Sequence, residues 1–312
     1  MKLKASVFMS AALLVALPLS ASLPANAQAS SAEVRAAYVA EIEAWHAARV
    51  ERLQAPEGWL SLVGLHWLEV GTQRVGSAVG NEVILRVGPA HLGTLSVIDG
   101  AVELALADGV EAQIGDDPTL RRAALASDAS GAPSVVRFGP ASLVLIERDG
   151  RFALRVRNPN APTRSGFIGI ERYLVDLTWR IVARFEAHPA GRTIEIASVI
   201  NTLEAMANPG RLLFERDGKA YSLEAIDDGS GQLFLIFADR TNARETYGPG
   251  RFVYVELPAD GQTVLDFNRA YNPPCAFNAY STCPLPPPEN RLDLAVRAGE
   301  KRYLGAHQGA VD

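Results

Sequence analysis

The chain has 312 residues, 48% of them hydrophobic and 21% charged, a make-up that suits a folded globular protein and excludes a disordered, collagen-like or coiled-coil chain. Lys and Arg number 30 against 35 Asp and Glu, a formal charge of −5. That balance lacks the basic footprint with which nucleic-acid binders displace counterions, so no nucleic-acid partner is expected.

The amino terminus reads as a leader. Lys2 and Lys4 precede a mostly apolar stretch over 5–23, and Pro24-Ala25-Asn26-Ala27 puts small residues where a signal peptidase reads, which predicts a signal peptide over 1–27. Ser10, Pro18 and Ser20 interrupt the run, and it is short for a bilayer span, so a cleaved leader is preferred to a retained anchor. Later apolar runs, such as 143–146 and 233–238, are of strand length and end in charge, so no membrane span is expected in the mature chain. The expected location is periplasmic or secreted. In an exported chain an even pair of cysteines favours a disulfide, here Cys275 with Cys283. Closing so short a loop stabilises by at most about 2–3 kcal/mol, enough to shape one loop but not to hold up a domain. The five histidines, His46, His66, His91, His188 and His307, show no ligand spacing, so neither a metal nor a cofactor is expected.

Ser30 and Glu33 have the spacing of a capping box. Val34, Tyr38, Ile42, Trp45, Arg49 and Leu53 then recur at helical spacing, which predicts one amphipathic helix, within a segment 28–56, ending at Pro56. From Trp59 the pattern changes to short β-rich runs, with strands predicted at 83–87, 94–98, 102–106, 135–138, 143–148 and 152–157 in a first lobe over 57–160. Asp99-Gly100, Asp108-Gly109 and Asp149-Gly150 accept positive φ in tight hairpins and predict antiparallel pairing. After Asn158-Pro159-Asn160-Ala161-Pro162 a second lobe over 161–312 carries strands at 180–185, 193–199, 212–215, 221–225, 233–238, 252–256 and 264–267. The expected fold is mainly β, an antiparallel β-sandwich or partly open barrel in two coupled lobes that could share one core, with one N-terminal amphipathic helix. E-R-D-G-R (147–151) and E-R-D-G-K (215–219) echo one another and are read as two hairpins with the same favoured turn rather than as a duplication.

The sequence holds no G-x-S-x-G elbow, S-x-x-K, H-E-x-x-H or P-loop, and no dinucleotide fingerprint, which removes the cheapest support for hydrolase, protease and nucleotide readings. What stands out is 237–292. Asp239, Thr241, Asn242, Arg244, Glu245, Thr246 and Tyr247 lie between two predicted strands and carry more hydrogen-bonding capacity than a plain turn requires. From Asp266 onward the chain runs to Leu292 with almost no regular-structure signal but many aromatics and prolines, the pattern of an ordered, functional irregular segment.

The motifs T-Y-G-P-G-R-F (246–252), D-F-N-R-A-Y-N-P-P-C (266–275) and C-P-L-P-P-P-E-N-R-L (283–292) resemble those of the bacterial and archaeal family of unknown function DUF1684. The likeness extends from G-W-L-S-L-V-G-L-H-W-L at 58–68 to R-A-G-E-K-R-Y at 297–303. It implies where a site lies and not its chemistry. Similar proteins that look cytoplasmic carry both cysteines, which implies a role for Cys275 and Cys283 beyond a staple, and they often have glycine where this chain has Ala243.

Each candidate has a functional and a structural reading. Asp266 and Glu289 are the candidate acid and base; Asp266 is equally suited to cap a turn, and Glu289 to pair with an arginine. Asp239, Asn242, Arg244, Glu245, Tyr247, Arg251, Asn268, Tyr271, Asn272, Asn290 and Arg291 are the candidate ligand-binding side chains. Arg155 and Arg157 share one strand face and could grip an anion, although a solvated face with charged ends is the default expectation. His66 is read as a satisfied core histidine. Three functions stay open: a binder of a small polar molecule in a cleft lined by 239–251 and 266–291, a hydrolase or lyase with Arg244 or Arg251 stabilising developing charge, and an envelope assembly protein.

Overall fold

A computed structural model describes residues 30–305. The leader expected over 1–27 lies outside the described residues.

The helix Ser31–Gln54 starts as its sequence predicts. The Ser30 side chain accepts from the Glu33 backbone N–H while Glu33 reaches back to the Ser30 N–H, closing the capping box. Tyr38, Ile42 and Leu53 form its buried face. No described helix is long and apolar enough to cross a membrane.

The first lobe packs two five-stranded sheets face to face. One runs in the order Leu62–Trp67, Arg151–Arg157, Ala141–Arg148, Val135–Phe138, Gln113–Ile114. The other runs Val83–Ile84, Gly71–Gly76, Gly93–Ile98, Ala101–Leu106, Arg122–Ala124. Strand alternation decides which side chains meet: Leu143, Leu145, Leu154 and Val156 point into the core against Val75, Leu95 and Leu104, while Val144 and Ile146 join Leu65 and Trp67 on the opposite face. Arg155 and Arg157 belong to that opposite face. Turns form where Asx-Gly predicts them at Asp99-Gly100 and Asp149-Gly150, with both residues of each pair at positive φ. Asp108-Gly109 is different. Only Gly109 takes positive φ, and the next strand, Gln113–Ile114, lies in the other sheet, so the dipeptide turns the chain between layers instead of closing a hairpin.

The second lobe is one seven-stranded antiparallel sheet. Its main path runs Arg251–Val255, Leu233–Phe237, Lys219–Asp227, Leu203–Arg216, Arg180–Ala187, Gln262–Asp266, and Thr193–Ala197 pairs beside the first half of Leu203–Arg216. The two edge strands approach each other, which curls the sheet toward a partly closed barrel around Leu212, Leu235, Phe237, Val253 and Leu265. The strand expected at 212–215 begins much earlier, at Leu203. Asn208-Pro209-Gly210 reads as a break, but it forms a bulge in a continuous strand, and Asn208 Nδ2 patches the interrupted ladder by donating to the carbonyls of Gly210 and Ala225. The two lobes do not share one core: each has its own buried cluster, and further small clusters fill the seam under the helix.

Candidate functional site

The residues picked out in 239–251 are held by each other and by the C-terminal segment. Arg251, with no side-chain exposure, donates from Nη2 to Asp239 Oδ2 at 2.7 Å and to the Val296 carbonyl at 2.8 Å, and from Nη1 to the carbonyls of Ala298 and Glu300. Asp239 also accepts from the Thr241 N–H and hydroxyl. Asn242 closes the loop, accepting from the Asp239 N–H and donating to the Tyr247 carbonyl. Glu245 pairs with Arg297 at 3.0 Å and accepts from the Tyr173 hydroxyl, Arg244 is exposed, and Tyr247 is half-buried against the cluster under the helix. Gly250, at φ 143°, belongs to T-Y-G-P-G-R-F, and a Cβ there would stand 2.6 Å from the Phe237 carbonyl, so this close approach admits only glycine.

Most of the 266–291 candidates also act within the packing. Asp266 caps the short helix Phe267–Arg269 through the Asn268 N–H and accepts from the Tyr38 hydroxyl at 2.8 Å; burial and that carboxylate push the tyrosine pKa up. Asn268 donates to the Asp176 carbonyl, and Asn272 donates to Glu300 from its N–H and to the Lys301 carbonyl from Nδ2. Asn290 joins two strands, accepting from the Glu224 N–H and donating to the carbonyls of Glu224 and Ile236. Glu289 and Arg291 are exposed. The disulfide Cys275–Cys283 is formed, with 6.2 Å between Cα atoms.

A large concavity lies elsewhere, in the seam between the lobes. A cavity of about 980 Å³ is lined from the first lobe by Trp59, Asp128, Arg148 and Arg155 and from the second by Thr202, Asp228 and the 281–284 segment. It meets a second cavity of about 610 Å³ at Trp59, Phe252 and Pro274, which line both. Of the residues weighed from the sequence, Arg155, Tyr271 and Cys283 line the two cavities. Asp239, Glu245, Asp266 and Glu289 line neither.

Arg155 dominates the electrostatics of the first cavity. It is 6% exposed, its strand neighbours Leu154 and Val156 being committed to the opposite face, and the solvated face expected for it is instead covered by the second lobe. Nη2 donates to the Thr282 hydroxyl at 3.2 Å, Nε has no partner, and the guanidinium stands 5.5 Å from the Trp59 ring centre. No carboxylate pairs with it among the described residues. Asp128, whose charge also acts on Arg155, is taken by Arg148 in a two-pronged pair at 2.8 and 3.0 Å. Burial, with Arg148 close by, lowers the Arg155 pKa to about 10, which leaves it charged at neutral pH. Arg157 lies on the same face and is likewise lowered by burial.

The disulfide loop supplies the opposing wall. Thr282 accepts from both arginines, Ser281 donates to Asn278 Oδ1, and Asn278 Nδ2 donates to the Trp59 carbonyl, so the loop and the tryptophan segment are tied together. His66 points to the other side of its sheet, where burial lowers its pKa.

The sequence model described as Protein of unknown function (DUF1684) matches residues 165–301. An uncharacterised protein of Haloarcula marismortui, solved by solution NMR, is 32% identical over 44% of this chain and 78% of its own, with a TM-score of 0.38. The chain belongs to the DUF1684 family. No curated protein matches it. The family match falls on the second lobe and contains the three motifs at 246–252, 266–275 and 283–292, while 58–68 lies outside it. Within the span matched to DUF1684, these motifs build the Asp239–Arg251 hub and the disulfide wall, and the first lobe contributes Arg155 from beyond it. Ala243 sits at φ 66°.

Proposed function

We propose that this protein is an exported binder of a small polar ligand carrying an anionic group, and that the ligand occupies the seam between the lobes. The observation that carries the reading is Arg155, a buried cation lining the seam cavity with a hydroxyl but no carboxylate for a partner among the described residues. Burying a charge without a counter-ion costs several kcal/mol, and an anion entering the cavity supplies the missing partner. Trp59 adds an aromatic face beside the guanidinium, and Thr282 a hydroxyl. Export is supported by the leader pattern at 1–27 and by the disulfide. A binder is preferred to a hydrolase or lyase because Asp266 and Glu289, the candidate acid and base, line neither cavity.

Total tryptophan emission, to which Trp59 contributes from the cavity wall, is followed while galacturonate and, separately, inorganic phosphate are titrated into the full chain and into its Arg155→Met variant. The expected result is a saturable change with at least one of the two anions, lost in Arg155→Met and kept in Arg244→Ala, which alters an exposed arginine outside the cavities. No saturation with either anion, or equal binding to Arg155→Met, overturns the proposal.

A further inference from the structure

The second cavity differs in chemistry from the first. Trp45, Arg49 and Arg52 reach it from the helix Ser31–Gln54, and Phe234, Phe252, Tyr254 and Tyr271 form its floor. The floor rings are in mutual contact: Phe234 stacks on Tyr254 at 4.8 Å, and Tyr254 on Tyr271 at 6.5 Å and 12°. Among the described residues no carboxylate lines this cavity. Arg49 is committed to Glu300 and lies 4.4 Å over the Tyr271 ring, whereas Arg52 is exposed and has no acidic partner among the described residues. Arginine beside an aromatic face therefore occurs twice along one groove, at Arg155 with Trp59 and at Arg49 with Tyr271, and Arg52 adds a further cation to the second cavity.

The first cavity also narrows the choice of ligand. Besides Arg148 and Arg155 it is lined by Asp128, Glu147, Asp149, Glu204 and Asp228. Those carboxylates oppose dense negative charge, which favours a ligand with single charges spaced a ring apart over a phosphate-rich polyanion, and they and Ser198, Thr202 and Thr282 are acceptors suited to hydroxyl donors. One drug-sized ligand fills roughly 300–1,000 Å³, a range the first cavity spans alone before the second adds about 610 Å³. The fitting molecule is long, rich in hydroxyls, built of rings with a flat apolar face, and anionic at intervals.

We infer that the groove binds an acidic oligosaccharide, a chain of sugar rings each bearing one carboxylate, with one carboxylate on Arg155 and a neighbouring ring between Trp45 and the aromatic floor of the second cavity. This rests on the anion-binding reading of the first cavity and adds to it a length requirement and a second subsite. Trp45 and Arg52 serve the second subsite only, since neither lines the first cavity.

Calorimetric titration of the full chain with galacturonate, trigalacturonate and neutral maltotriose separates the two claims. The trimer is expected to bind about tenfold more tightly than the monomer, and maltotriose more weakly than either. Trp45→Ala and the exposed-site variant Arg52→Gln should each erase most of the trimer's advantage while leaving galacturonate affinity within about twofold; Arg155→Met should weaken both acids. A trimer no tighter than the monomer, with galacturonate still bound, overturns the oligosaccharide inference and leaves the anion site standing. Maltotriose bound as tightly as trigalacturonate overturns the acidic class. Failure of both acids to bind overturns the present inference; the anion-site proposal then stands or falls on its own phosphate titration.

Discussion

Two buried arginines show how differently one fold uses the same side chain. Arg251, at the centre of the second lobe, has a carboxylate and three carbonyls arranged around it, and Arg155, in the seam, has one hydroxyl and an aromatic ring. A buried charge whose partners are all protein is part of the architecture. A buried charge whose partners are missing costs stability, and a protein retains it where a ligand completes the set.

That comparison predicts opposite outcomes for the same substitution. Arg251→Met strands Asp239 as an unpaired buried carboxylate and should destabilise by about 3–5 kcal/mol in urea denaturation. The contrast fails if that variant is as stable as wild type. Next in size is Asp266→Asn, which weakens the acceptor for the Tyr38 hydroxyl and the Asn268 N–H; a loss of about 1–2 kcal/mol is expected by the same assay, marking Asp266 as a fastener between helix and sheet. Ala243→Gly relieves a left-handed backbone in the loop beside Arg251 and should stabilise by about 1 kcal/mol, read as a raised Tm. The smallest loss is expected for Arg155→Met, which removes an uncompensated charge and should be at least as stable as wild type while abolishing anion binding. An Arg155 variant as unstable as the Arg251 variant would place both arginines in the architecture and collapse the distinction.

Residues that act through local chemistry were readable in the chain. Ser30 and Glu33 announce the helix start because a capping box is made within four residues, and Asp149-Gly150 announces its hairpin because only positive φ closes that turn. Asn208-Pro209-Gly210 misleads for the complementary reason. Its local signal is a break, and the bulge that absorbs it depends on pairing with strands on both sides. The polar richness of 239–251 and 266–291 marks an unusual segment, but most of that polarity satisfies backbone of the same lobe, as at Asn290 between Glu224 and Ile236.

Arg155 is the opposite case. In F-A-L-R-V-R it sits on the non-core face of a strand, which by itself means solvent, and the covering loop with Thr282 is more than a hundred residues away in the chain. Trp45 and Arg52 likewise read as an ordinary helix face until the floor of Phe234, Tyr254 and Tyr271 lies opposite them.

The sequence alone determined the mainly β character, the leading helix, the cysteine pair and the DUF1684 membership, because periodicity, turn chemistry and motif identity are properties of neighbouring residues. Only the tertiary structure decided which polar groups are satisfied by protein and which are left facing a cavity. That distinction depends on desolvation and on partners brought together from both lobes, and no stretch of chain contains it.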